Sequence, residues 1–431
     1  MGKRLRATAA VLGDEALRLF FPLAALHAAA WPLLWVAVYG LDLPLARTVP
    51  PSLWHGHEML IGALGAALLG FVFTAVPDWS NQERPRGRVL FALAGLWSVG
   101  RLVGLLGADF LGAVGAIADL AWLGAIVVFL GLTAIRQRAL GLRGFLFWIG
   151  TLWLSEAATR YGFLTGDLQL GKTALWLSVL AYTAVLGLAL ARITPPITNR
   201  ILDPDLGSTP FRPHPGRRNL GPILIAAAMA GTLLGASAAV EGFLLIAAGA
   251  AYMDRSAEAF IGRAFFRTEI IALGGSSALA GGGLLLVGAS RLALPVPELA
   301  GLHLLTMGGL GLGVLSVFAI AGKLHTGQPL GLELPVKGAF LLLVGGTLAR
   351  VAAAFDLTTP SITGLLHLIA ALMWAGAFLV WLRWYWPFLS SGTSQAKASA
   401  RPRRTRRKAG KVRFNEANRT GRMSATRSRR P

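Results

Sequence analysis

Residues 53–79 read LWHGHEMLIGALGAALLGFVFTAVPDW. An apolar segment runs on from this opening to Val76, long enough to cross a hydrocarbon core of about 30 Å as a helix. At its mouth stand Trp54, His55, Gly56, His57 and Glu58. Packing alone does not ask for two imidazoles and a carboxylate at the edge of a bilayer. Ionisable groups in such a place are functional candidates by default.

The rest of the chain agrees with the membrane reading. Of its 431 residues, 55% are hydrophobic and only 14% charged, against about 25% charged in soluble domains. Cysteine is absent, which excludes thiolate-ligated haem, iron–sulfur clusters and disulfides within the chain. The 53 glycines suit close helix approach in lipid. No short leader with a cleavage site opens the sequence, so the first apolar segment is expected to remain.

The net charge of +21 is concentrated at one end. From Ser390 onward fourteen Lys and Arg face a single acid, Glu416, which puts +13 in the tail and leaves +8 for everything else. Such a tail buries too little surface to fold. It reads as a solvated segment that helps fix topology and touches anionic lipid. A lone aromatic, Phe414, and no structured element accompany the basic run, so specific nucleic-acid binding is not expected.

Hydropathy predicts an all-α bundle of twelve spans: 17–39, 54–76, 89–106, 110–133, 145–164, 174–193, 220–238, 241–253, 270–289, 299–322, 336–355 and 363–382. Arginines crowd the connections after even spans, as at Arg84/Arg86/Arg88 and Arg136/Arg138/Arg143, while odd spans end in loops of low positive charge. The positive-inside rule then sets both termini in the cytoplasm. The division is a cytoplasmic N-terminus (1–16), spans one to six (17–198), a cytoplasmic loop (199–219), spans seven to twelve (220–389) and the basic tail (390–431).

This orientation turns the polar residues into a depth map. His55, His57 and Glu58 open span two from outside, His303 lies near the outer end of span ten, and His367 near that of span twelve. Arg101, Glu156, Arg160 and Arg350 follow them, with His27 and Asp119 nearer mid-span. Imidazole is the commonest metal ligand and suits copper, iron and zinc. On one regular helix His55 and His57 point about 200° apart; they converge only through an irregular first turn, or else serve two centres. Plainer roles compete. Glu156 and Arg160, four apart, make an ion pair that holds helices in register. Arg101 and Arg350 snorkel to headgroups, and a lone His27 hydrogen-bonds a neighbour.

The 53–79 stretch resembles the signature of the NnrS family. RLFFPLAALHA (18–28), RITPPITNRIL (192–202), LHLLTMGGLG (302–311), LHTGQPL (324–330), LARV (348–351) and MWAGAF (373–378) support it. The resemblance implies a membrane protein that contains haem and copper and takes part in denitrification and nitric-oxide stress. It carries over His55, His57, His303 and His325 as metal-binding candidates and Glu58 as a supporting acceptor. His367 joins the cofactor set by depth. Arg101, Arg160 and Arg350 are candidates for haem propionates, and Glu156 is placed behind the ligands. The sequence departs from the family pattern at Ile320 and Gln328, where arginines are expected, and at 272–277, where a histidine with aromatics is expected.

Two mechanisms fit that resemblance: redox turnover of nitric oxide with an unidentified electron donor, or its sequestration. The competing class is a secondary transporter working through Glu156, Arg160 and Asp119. A respiratory reductase core ranks below both, because the adjacent-histidine pair expected of one is missing.

Overall fold

The computed structural model describes residues 2–41, 48–106, 109–355 and 359–391, with side chains from residue 6 in the first stretch and none at 39–41. Asp42, Arg47, Asp356 and the basic tail beyond 391 lie outside the described residues. Those residues form helices and no strand. A short α1 (Gly2–Leu12) precedes α2 (Ala16–Leu41). The 53–79 stretch becomes α3 (Pro51–His57), a π-helical segment Glu58–Leu64, and α4 (Gly65–Ser80). Then come α5 (Arg88–Leu106), α6 (Gly112–Arg136), α7 (Arg143–Thr165), α8 (Leu168–Leu202), α9 (Arg217–Leu233), α10 (Ala238–Ser256) and α11 (Thr268–Arg291). A second π-helical segment, Leu304–Gly311, joins α12 (Glu298–His303) to α13 (Leu312–His325), and α14 (Leu334–Ala354) and α15 (Pro360–Leu389) complete the bundle.

Nine of these segments, among the described residues, are long and apolar enough to cross a membrane. The other three expected spans correspond to α7, α9 and α10, which are helical but fall short of that mark. Arg143, Glu156 and Arg160 lower the hydropathy of α7, α9 has only 17 residues, and α10 carries Glu241, Asp254 and Arg255. The eighth segment, expected to be short, is a helix of 19 residues capped by the Ser237 side chain.

Local chemistry places several ends and bends. Asn81 in the left-handed region (φ 52°) stops α4, a conformation asparagine tolerates. Pro32 within α2 has no N–H to give the Ala28 carbonyl. That carbonyl instead accepts from Trp374 Nε1 of α15 at 2.9 Å, locking α2 to α15.

The ends of four segments meet on one face. Glu15, just before α2, contacts Arg84 after α4 and lies 2.6 Å from His325 Nδ1 at the end of α13. Arg18 donates to the Leu389 carbonyl at the end of α15 (2.9 Å), and the first backbone N–H groups of α2 are partly satisfied by Thr74 Oγ1 (Leu17 N, 3.1 Å). His55, His303 and His367 stand toward the opposite ends of their segments. The two π-helical segments begin directly after His57 and His303. Such turns are rare and concentrate at functional sites.

Candidate functional site

Two sites of different character share α3. The first is a cavity of about 330 Å³ among α2, α3, both π-helical segments, α14 and α15. His55, His303, His367 and Arg350 line it together. His303 Nδ1 lies 2.9 Å from the Leu299 carbonyl, and His367 Nδ1 lies 2.8 Å from the Thr363 carbonyl. A carbonyl only accepts, so Nδ1 carries the proton in each ring and Nε2 keeps its lone pair. Neither Nε2 has a hydrogen bond among the described residues. His55 packs on Trp35 (5.0 Å between ring centres), and its Nδ1 is buried with no hydrogen-bond partner among the described residues. Arg350 Nη1 is buried and unpartnered in the same sense. Met59, Met307, Trp374 and Phe378 supply apolar wall.

The second site is a buried network of opposite charges. His57 is fully buried, with Nδ1 3.0 Å from Glu58 Oε1 and Nε2 3.0 Å from Glu156 Oε1. Glu58 Oε2 lies 2.9 Å from Arg101 Nε and 3.2 Å from His27 Nε2. Arg101 Nη2 donates to Asp119 Oδ2 (2.8 Å), and Trp122 Nε1 to Asp119 Oδ1 (2.9 Å). Arg160 donates to both Asp119 and Glu156, and its guanidinium lies 5.2 Å from the centre of the Trp54 ring. Both nitrogens of His57 face carboxylate oxygens. Two hydrogen bonds there need one proton more than a neutral imidazole and two ionised carboxylates carry. With three carboxylates against two guanidiniums, that proton makes the group electrically neutral. Room for it comes from glycine: a Cβ on Gly100 would come within 2.5 Å of Asp119 Oδ1, and one on Gly62 would collide with His27.

The four histidines that share the outer depth therefore divide. His55, His303 and His367 share the cavity, whereas His57 is turned into the ionic network, because two positions along a helix is about 200° of rotation. His325 belongs to neither site. It ends the helical run Glu298–His325, 22 positions after His303, a rise of about 33 Å, and pairs with Glu15 on the other face. Arg101 and Arg160, considered for propionates, are committed to Glu58, Asp119 and Glu156, and only Arg350 reaches the cavity. The 272–277 stretch packs helix to helix, with Ser276 Oγ donating to the Gly309 carbonyl and Ser277 Oγ to that of Tyr252, each at 2.8 Å. Ile320 is buried in the core, and Gln328 donates to Thr326 Oγ1.

His57, Asp119 and Glu156 each bring one ligand atom within 4.8 Å of the others, close enough to hold a metal ion. The Arg160 guanidinium already bonds both carboxylates of that trio, so their negative charge is answered from within the protein. Among the described residues the cavity histidines have no such partner.

The Glu15 contact was not legible in the sequence. Burial pushes the Glu15 carboxyl up, but the His325 hydrogen bond and the charges of His325, Arg84 and Arg18 outweigh it and hold its pKa below the usual carboxylate value.

A search of curated proteins finds no match. The family model described as "NnrS protein" matches residues 12–392, nearly the whole chain, including both sites and every helix from α2 onward. The chain belongs to the NnrS family.

Proposed function

We propose that this protein binds haem and copper in the membrane and handles nitric oxide, with His55, His303 and His367 as the ligand set. One observation carries the reading. Imidazoles from three separate segments line one cavity, and among the described residues their ligating nitrogens are committed to nothing else. Family membership supports it. The cavity volume lies at the lower end of the range of about 300–1,000 Å³ usual for small-molecule sites.

The residues divide the work. The Nδ1–H bonds to backbone fix the His303 and His367 rings and their tautomers, as outer partners of metal-binding histidines do. The unpartnered Nη1 of Arg350 is suited to a carboxylate such as a haem propionate. The Met59 and Met307 thioethers are soft donors compatible with copper(I). Trp35, Trp374 and Phe378 keep water away. A haem or copper ion held here would supply a coordination position for nitric oxide and one-electron chemistry. The ionic network braces α3 against α5, α6 and α7, and so fixes the direction in which His55 points.

The same reading takes the nine apolar segments with α7, α9 and α10 as twelve spans, termini in the cytoplasm of a bacterial inner membrane, and the basic tail against anionic lipid. A transporter using Asp119, Glu156 and Arg160 is not favoured. Those side chains bond one another, and they line neither the histidine cavity nor two smaller cavities in the bundle. The test is an absorption spectrum with metal analysis of protein purified from membranes. A Soret band with bound copper is expected; a colourless, metal-free protein contradicts the proposal.

A further inference from the structure

Behind the histidine cavity lies a second one, of about 70 Å³, between α4, α8 and α13. Leu64, Val314 and Phe318 line both, so the two adjoin across these side chains. Leu64 ends the first π-helical segment, which Glu58 begins. Phe318 is held by stacking on Phe21 (4.3 Å) and by Trp381 (4.8 Å). Leu64 and Val314 complete the shared wall as aliphatic side chains packed against the core.

The chamber is built to be dry. Leu68, Phe71, Leu186, Ala189, Ile193 and Val317 line much of it. The single polar side-chain atom on its walls is the Tyr182 hydroxyl, buried with no hydrogen-bond partner among the described residues. A buried water wants two to four polar partners, and apolar cavities without them stay empty of water and take up apolar gas such as xenon. Its volume exceeds the roughly 10–15 Å³ that one water-sized probe needs and excludes anything as large as a cofactor.

We propose that this chamber is a holding site for an uncharged, weakly polar molecule of two or three heavy atoms on its way to the histidine cavity, with Leu64 and Val314 as the partition. The occupancy of the chamber follows from its walls alone; the destination rests on the function proposed above. Apolar lining lowers the cost of leaving lipid for such a molecule and refuses ions and water, so the chamber selects the class of molecule that reaches His55, His303 and His367.

Xenon tests occupancy and carbon monoxide tests the route, both on the full chain in lipid nanodiscs. ¹²⁹Xe NMR should find a saturable site. Ala189→Phe, which fills the chamber, should weaken it by roughly tenfold, and Leu186→Ala, which enlarges it, should strengthen it. Carbon monoxide rebinding after flash photolysis should slow several-fold in Ala189→Phe with an unchanged absorption spectrum. Equal xenon binding in the wild type and Leu186→Ala overturns the chamber, even if Ala189→Phe does not fold. Xenon loss with unchanged rebinding overturns the route. A protein with no absorbing metal defeats the proposed function instead, and the xenon arm still decides the chamber.

Discussion

His55 and His57 sit two residues apart on α3 and meet opposite surroundings. His55 borders open space with a ring nitrogen that has no hydrogen-bond partner among the described residues, beside Arg350, whose Nη1 is unpartnered in the same sense. His57 has a carboxylate on each nitrogen, and every charge around it is answered by another. The difference separates two uses of ionisable groups inside a membrane. Groups whose charge or lone pair the protein leaves unanswered await something else, whereas charges paired among themselves hold helices together, even though Arg101 Nη1 and Glu156 Oε2 of the network have no hydrogen-bond partner among the described residues. Removing one side of the second kind is costly, because it strands a buried charge.

The sharpest way to break the contrast is to neutralise the network. Asp119→Asn or Glu156→Gln should destabilise the purified protein by about 3–5 kcal/mol, read as a large fall in melting temperature. A small change would mean that the charges are not mutually dependent. Gly100→Ala pushes a methyl group into Asp119 and should cost about 1–3 kcal/mol, measured in the same assay with no change in charge. Glu15→Gln should cost on the order of 2 kcal/mol, as loss of a charged hydrogen bond does.

That third site also carries a pH dependence. The folded pKa of Glu15 lies below its unfolded value, so its contribution is fully present above the unfolded pKa of about 4.3. It fades as pH falls through the folded value. Melting temperature should therefore drop less steeply with acidification in Glu15→Gln than in the wild type; parallel curves would remove Glu15 from the account. The smallest effect on stability is expected at the cavity. His303→Ala should change it by about 1 kcal/mol or less while bound metal falls.

The sequence made the division of α3 partly readable. A spacing of two forbids convergence on a regular helix, and the shared depth of His303 and His367 pointed to one end of the bundle. Three features escaped. The π-helical segments have no periodic signature, since they are set by what packs on them, as when Trp97 Nε1 donates to the Gly62 carbonyl at 3.0 Å. Asp119 stood out as a mid-span charge, but its role as the acceptor between Arg101 and Arg160 depends on three helices meeting. Glu15 and His325 are 310 residues apart, and no local pattern joins them. His325 enters the candidate set through its motif alone, and the helical rise from His303 sets it on the other face.

The central claim is that the histidines of the cavity, and not His57, hold the cofactor. Metal content and absorption spectrum, measured side by side on folded His55→Ala and His57→Ala proteins, test it most directly. The account predicts that His55→Ala inserts and melts much like the wild type but loses metal or shifts its spectrum. His57→Ala should be markedly less stable, with the folded fraction keeping the wild-type spectrum and metal content. An unaltered spectrum in His55→Ala together with loss of metal from stably folded His57→Ala would contradict it.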